Sequence, residues 1–219
     1  MTLSQRIFLV IFGPLLDICF SWKAEGRENV PSTGPLILVA NHVHVLDPIL
    51  LVFTLPRWIT FVAKEELFRS LFLRLWLRWA GCLPLQRDGK VREKQRILES
   101  ARKALDEGLI LGMFPEGGRS HDGKLRKGKP GSAVIASKTD VSLLPVGIAG
   151  TDKIHGISWL WNRPRIVVKI GKPFKLPPTN NKISKSQMQL LTTQLMKEIA
   201  ALLPPEYQGA YEKGEDSES

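Results

Sequence analysis

His42 and Asp47 stand five residues apart in Asn41-His42-Val43-His44-Val45-Leu46-Asp47-Pro48, directly after the apolar run Leu36–Ala40. An imidazole held through one ring nitrogen by a carboxylate has its tautomer fixed and its cationic form stabilised. The other nitrogen is then left to take a proton from an alcohol. On one continuous helix, five residues turn through ~140°, which would point the two side chains apart. They meet only if His42 lies on a turn between a strand and a helix. Asp47-Pro48 supplies such a turn, reading as a helix N-cap and first helical position ahead of Ile49–Phe53. By itself this dipeptide need be no more than a helix start. The histidine at the end of a buried strand, where sites in α/β folds are built, adds the chemistry. A carboxylate can cap with one oxygen and hold an imidazole with the other. No serine or cysteine stands in a nucleophile-elbow context, so the pair is expected to activate a substrate hydroxyl directly, with no covalent intermediate on the protein.

A second constellation is Phe114-Pro115-Glu116-Gly117-Gly118-Arg119-Ser120, again at the end of an apolar run. Paired glycines let backbone amides approach an anion, and an arginine grips a phosphate through two parallel hydrogen bonds. Glu116 would repel that phosphate, so it is expected to orient Arg119 or a substrate hydroxyl. Downstream, Lys124, Arg126, Lys127 and Lys129 form a basic run that could attract an anionic substrate or could be a solvated face.

These residues need a scaffold, and the chain offers alternating strands and helices. Strands are expected at Leu36–Ala40, Ile59–Ala63, Cys82–Leu85, Leu109–Phe114, Leu143–Ile148 and Arg165–Ile170, several nearly unbroken in apolar residues as buried strands should be. Val91–Glu107 carries Ile97, Leu98, Ala101, Ala104 and Leu105 at helical spacing and stops at Gly108. Ser184 and Gln187 have capping-box spacing ahead of a helix over Met188–Leu203, which Pro204-Pro205 ends, and Glu206–Ser219 reads as a polar, frayed tail. This alternation predicts an α/β class with a single mixed, parallel-rich sheet flanked by helices. At the start, Ile7–Trp22 is apolar but too short to span a bilayer and broken by Gly13, Pro14 and Asp17, so it is expected to lie in a membrane interface. Leu67–Leu83 sets Arg69, Arg74 and Arg78 among leucines and tryptophans. That suits either a lipid boundary or an amphipathic helix on the sheet.

The 219 residues suffice for one well-cored domain. With 43% hydrophobic and 24% charged residues the chain is neither disordered nor polytopic. Its net charge of +10 favours an anionic partner: nucleic acid, a phospholipid surface or a phosphorylated substrate. Two cysteines, Cys19 and Cys82, both in apolar stretches, suit reduced buried thiols better than a disulfide framework.

The His-x4-Asp block of Asn41–Pro48 and the Phe114–Ser120 block resemble the glycerolipid acyltransferase superfamily, most closely its 1-acylglycerol-3-phosphate acyltransferases. Gly81-Cys82-Leu83-Pro84-Leu85-Gln86-Arg87 is similar to the family's second block and Leu144-Pro145-Val146-Gly147-Ile148 to its fourth. The resemblance spans about residues 25 to 175 with the four blocks in family order. It implies His42 as catalytic base with Asp47 as its partner. Glu116, Gly117 and Arg119 would line the glycerophosphate site, with Arg87 assisting. One position departs: Gly118 stands where the family usually has threonine. The implied reaction moves an acyl group from acyl-coenzyme A or acyl-carrier protein to lysophosphatidic acid, giving phosphatidic acid for phospholipid biosynthesis, with no cofactor and no metal. The implied organisation is a membrane-associated helical element (1–24), an acyltransferase domain (25–205) and a polar tail (206–219), docked on the cytoplasmic face of a membrane.

Two other readings use the same residues. His42, His44 and Asp47 could begin a zinc site, but only His121 and His155 remain to complete it and neither has ligand-like spacing. A basic nucleic-acid-binding module would interleave aromatics with its basic residues on exposed strands, whereas the tryptophans here lie in apolar segments.

Overall fold

A computed structural model describes residues 1–85, 91–154, 156, 161, 163–177 and 184–212. Its centre is a seven-stranded sheet of β1 (Ser21–Glu25), β2 (Leu36–Ala40), β3 (Ile59–Lys64), β4 (Leu83–Leu85), β5 (Ile110–Met113), β6 (Leu143–Ala149) and β7 (Arg165–Ile170), in the order β1-β7-β6-β2-β5-β3-β4. Strands β6, β2, β5, β3 and β4 are parallel, while β7 pairs antiparallel with β6 and parallel with β1. The carboxyl ends of the five parallel strands therefore share one edge.

The unbroken apolar run of β2 follows from burial on both faces. Ile37 and Val39 pack with α4 (Val91–Asp106), α5 (Gly131–Thr139) and α6 (Lys185–Ala200) through Ala101, Leu105, Ala133, Leu195 and Ile199. Leu36, Leu38 and Ala40 face the other side, against Leu50 and Leu51 of α2 (Asp47–Thr54). The mixed sheet flanked by helices is the class that the sequence pattern predicts. The capping box is present at Ser184–Gln187, and α4 gives way to a left-handed Gly108.

Helix α1 (Leu3–Cys19) has no buried residue and lies across the outer layer. Phe8 meets Phe53 of α2 at 5.5 Å and Trp79 of α3 (Leu71–Trp79) at 5.1 Å, and the Trp79 indole donates to Ser4 at 3.3 Å. Among the described residues no helix is long and apolar enough to cross a membrane.

Two expected boundaries are corrected. The division at residue 24 cuts through β1, which belongs to the sheet because Ser21–Glu25 pairs with Arg165–Lys169. Local sequence carries no sign of a partner so distant. Residues Glu206–Glu212 are not a frayed tail: Pro205–Gln208 forms a short helix, α7, with Tyr207 only 8% exposed. Its apolar anchors are single residues rather than a periodic stripe. Residues 213–219 lie outside the described residues.

Arg57 closes the opposite edge of the sheet. Its guanidinium donates to the carbonyls of Pro31 at 2.9 Å, Gly34 at 2.6 Å and Gly108 at 2.7 Å, tying the loop before β2 to the end of α4. Charged hydrogen bonds of this kind are each worth about 1.5–3 kcal/mol before rehydration of the freed carbonyls. Arg57→Ala is therefore expected to lower unfolding free energy by about 2–3 kcal/mol in a urea titration, and a change below the error of that titration would reject this role.

Candidate active site

At the carboxyl end of β2 the chain turns sharply before α2, and that turn is organised by one carboxylate oxygen. Asp47 Oδ2 accepts from His42 Nδ1 at 2.9 Å and from the backbone amides of Val43 and His44, each at 2.7 Å. Asp47 is wholly buried, and its Oδ1 takes no hydrogen bond among the described residues. The expectation that one oxygen would cap α2 is corrected. The helix starts at Asp47 itself, with Leu46 at the cap position, so the carboxylate folds back over the preceding turn instead of forward onto helix amides.

An ionised carboxylate only accepts hydrogen bonds, so Nδ1 of His42 carries the proton and the Nε2 lone pair is left open. No hydrogen bond engages Nε2 among the described residues, and the side chain is 17% exposed. The ring stacks on Phe114 at 4.1 Å and 19°, and Phe114 in turn stacks on Phe61 at 5.7 Å and 4°. The imidazole is thus fixed on one face by an aromatic column and at Nδ1 by Asp47.

The neighbouring strands bring the second constellation against the first. The Asn41 side chain bonds both the carbonyl and the amide of Ile148, at 2.8 and 2.7 Å, which locks the end of β2 to β6. On the other side, the amide of Ser120 donates to the His42 carbonyl at 2.7 Å, so Arg119 stands one residue from a direct contact with the histidine. Arg119 is exposed, and its carbonyl accepts from the Arg126 guanidinium at 3.2 Å. Gly117 has φ +68°, and a Cβ there would stand 2.8 Å from Lys129 Cδ and 3.1 Å from its Nζ, so the lysine lies directly over the glycine. Gly118 has open space where a Cβ would be.

Glu116 departs from expectation. Its oxygens are engaged by backbone, the amide of His42 at 2.7 Å and that of Arg126 at 3.0 Å, and neither reaches Arg119. Only 2% exposed, it ties the histidine to the basic loop from below. Burial pushes its carboxyl up to about 7, against the pull of the two amides. Arg87 lies outside the described residues. His44 is turned to its own loop, with Nδ1 accepting the Leu46 amide at 3.3 Å, and among the described residues no three His, Cys, Asp or Glu side chains are grouped to hold a metal. Phe114, Asn41 and Ser120 gained no role from sequence reasoning. Only their place beside the His and Arg blocks could have suggested one.

The arrangement can deprotonate a hydroxyl presented to Nε2 while Arg119 and Lys129 hold an anionic group nearby. The family model described as Acyltransferase matches residues 21–149. A 1-acyl-sn-glycerol-3-phosphate acyltransferase of Borreliella burgdorferi is 33% identical over 127 residues, 58% of this chain and 50% of that protein. The chloroplastic 1-acyl-sn-glycerol-3-phosphate acyltransferase LPAT1 of Arabidopsis thaliana is 34% identical over 152 residues, 68% of this chain and 42% of that protein. The crystal structure of the 1-acyl-sn-glycerophosphate (LPA) acyltransferase PlsC from Thermotoga maritima is similar at TM-score 0.66 and 26% identity, over 87% of this chain and 76% of that one. The chain spans about half the length of these two curated relatives.

Glu116 sets a pH dependence whose sign is fixed. Its folded carboxyl titrates near 7 and its ordinary value is 4.5, so the folded state holds the proton longer than the unfolded chain does. Stability from this group is complete below about 4.5 and is lost as pH rises to about 7, a fall on the order of 3 kcal/mol. Glu116→Gln removes the titration, so its unfolding free energy at pH 5 and at pH 7.5 should differ by less than in the parent. Equal differences in the two proteins would exclude Glu116 as the source.

Proposed function

The chain belongs to the acyltransferase family, and from that premise we propose that it transfers a fatty acyl group from acyl-coenzyme A or acyl-carrier protein to the free hydroxyl of lysophosphatidic acid, giving phosphatidic acid. The observation that carries this reading is the 2.9 Å contact between His42 Nδ1 and Asp47 Oδ2, with Nε2 unbonded among the described residues and the His42 carbonyl bonded to the amide of Ser120, next to Arg119. Nε2 takes the proton of the acceptor hydroxyl as its oxygen bonds to the thioester carbonyl carbon. Collapse of the tetrahedral adduct breaks the carbon–sulfur bond, and the imidazolium returns the proton to the departing thiolate. Asp47 stabilises the transient imidazolium, and no acyl group passes through the protein. Arg119 and Lys129 receive the acceptor phosphate, a pairing supported by their exposure beside glycines that admit close approach. No cofactor enters these steps.

The acceptor is a lipid, and the outer layer suits a lipid surface. Val10, Ile11, Leu15 and Ile18 on α1 are joined by Leu71, Phe72 and Leu75 on α3, all more than half exposed. Arg69, Arg74 and Arg78 border the second group, where guanidinium stems snorkel to phospholipid headgroups. We read this flank as docking on the cytoplasmic face of a membrane without crossing it, in keeping with two free, half-buried cysteines.

An acyl-transfer assay with lysophosphatidic acid and acyl-coenzyme A tests the chemistry. His42→Ala should abolish turnover and Asp47→Asn should lower kcat by about 10³–10⁴ by unfixing the tautomer. Arg119→Ala should chiefly raise KM for the acceptor, and full turnover by the His42 variant ends the reading. Docking has its own measurement in flotation with vesicles containing anionic phospholipid. A large apolar side chain entering lipid is worth about 2 kcal/mol, so Val10→Asp or Phe72→Asp should weaken binding at least tenfold. Unchanged flotation of both variants would place the contact elsewhere.

A further inference from the structure

We propose that the segment Pro204–Tyr211 is a brace that positions the acceptor-phosphate loop, with Tyr211, bonded to Gly128, as a positioning residue that acts through Lys129. The inference rests on the reading of Lys129 as a phosphate ligand beside Arg119.

The loop from Ser120 to Pro130 is held from two sides in alternation. On the site side, the Arg126 amide donates to Glu116 at 3.0 Å, the Lys129 amide to the Pro115 carbonyl at 2.7 Å, and the Arg126 guanidinium to the Arg119 carbonyl at 3.2 Å. On the far side, the Leu125 amide donates to the Tyr207 carbonyl at 2.8 Å, the Ala210 amide to the Leu125 carbonyl at 3.3 Å, and the Gly128 amide to the Tyr211 hydroxyl at 3.1 Å. Residues 125 and 128 thus face the brace, and their successors 126 and 129 face the site. A displacement of one neighbour carries the other with it, because consecutive Cα atoms are fixed about 3.8 Å apart.

The brace is itself anchored. The Tyr207 hydroxyl donates to Asp152 at 2.8 Å, just past the end of β6, and its ring is buried against Leu125, Leu203 and α6. Gly209 lets it approach. Its φ is +51°, and a Cβ there would lie 2.4 Å from the Leu125 carbonyl oxygen. The chain therefore carries two features that serve the same loop, a glycine whose positive φ and close contact both exclude a side chain and a tyrosine hydroxyl spent on one loop amide. Neither His42 nor Asp47 contacts this segment among the described residues, and Glu116 lies between the loop and the histidine, so the larger effect is expected on acceptor binding.

The experiment measures kcat and KM for lysophosphatidic acid at saturating acyl-coenzyme A for the parent, Tyr211→Phe, Gly209→Ala, Lys129→Ala and the Tyr211→Phe/Lys129→Ala double variant. Tyr211→Phe keeps the ring and loses one hydrogen bond, so KM should rise roughly threefold to tenfold with kcat within about twofold and the thermal midpoint little moved. Gly209→Ala should shift KM in the same direction by more. If Tyr211 works through Lys129, the tyrosine substitution should add little to KM once the lysine is gone. A KM raised by Lys129→Ala but unchanged by Tyr211→Phe and Gly209→Ala overturns the brace alone, as does full additivity in the double variant. A KM unmoved by Lys129→Ala rejects the phosphate-ligand reading of that lysine, and the brace with it.

Discussion

The site depends on a single carboxylate oxygen that closes a turn. His42 and Asp47 are five residues apart, and no regular helix would bring their side chains together. They meet because Asp47 Oδ2 gathers the amides of Val43 and His44 as well as the imidazole, curling the backbone between β2 and α2 around itself. Turn formation and histidine orientation are therefore one event. A residue at 47 without a side-chain oxygen would release two amides and a ring together, whereas asparagine keeps an acceptor and loses the charge. Burial makes the arrangement strict, since an unpaired polar group at this depth costs about 1–3 kcal/mol.

The sheet then decides what stands beside that turn. Because β6, β2 and β5 are adjacent and parallel, their carboxyl ends deliver Asn41, Glu116 and the residues after Ala149 to one edge. Asn41 bonds Ile148 as a strand would, extending the β2–β6 pairing by one residue to where the histidine begins. Glu116 does the corresponding work toward β5, accepting the His42 amide with one oxygen and the Arg126 amide with the other. The histidine backbone is thus held from both neighbouring strands and its ring from a third direction by Phe114. Such over-determination lets a half-buried imidazole keep one orientation at a solvent-facing edge.

What the sequence disclosed follows from the range of the forces involved. Strand β2 was legible because burial on both faces leaves an unbroken apolar run, and α4 and α6 because their stripes and caps are local. Spacing and the Asp-Pro step allowed a contact between His42 and Asp47, and the family resemblance of that block singled it out. Strand β1 was not, since Ser-Trp-Lys-Ala-Glu owes its conformation to β7, some 140 residues on. The work of Glu116 was hidden for a related reason: a carboxylate beside arginine suggests an ion pair, and only the fold reveals two backbone amides aimed at it. The same holds for Tyr207, whose burial depends on Leu125 and α6 rather than on its neighbours in the chain.

The position of the histidine also answers a problem of two solvents. The lysophospholipid proposed as acceptor carries both a phosphate and an acyl chain, so a base serving it would have to stand where apolar and charged surfaces adjoin. Helix α2 makes that junction. It starts at Asp47 and carries Phe53 against Phe8 of α1 about 9 Å further along its axis. From there the exposed apolar residues of α1 and α3 extend the flank, while exposed Arg119 precedes Ser120, whose amide bonds the His42 carbonyl, and exposed Lys129 lies over Gly117. Deeper burial of His42 would deny it the hydroxyl, and fuller exposure would free its ring from Phe114. An imidazole 17% exposed, stacked on one face and bonded at one nitrogen, satisfies both demands.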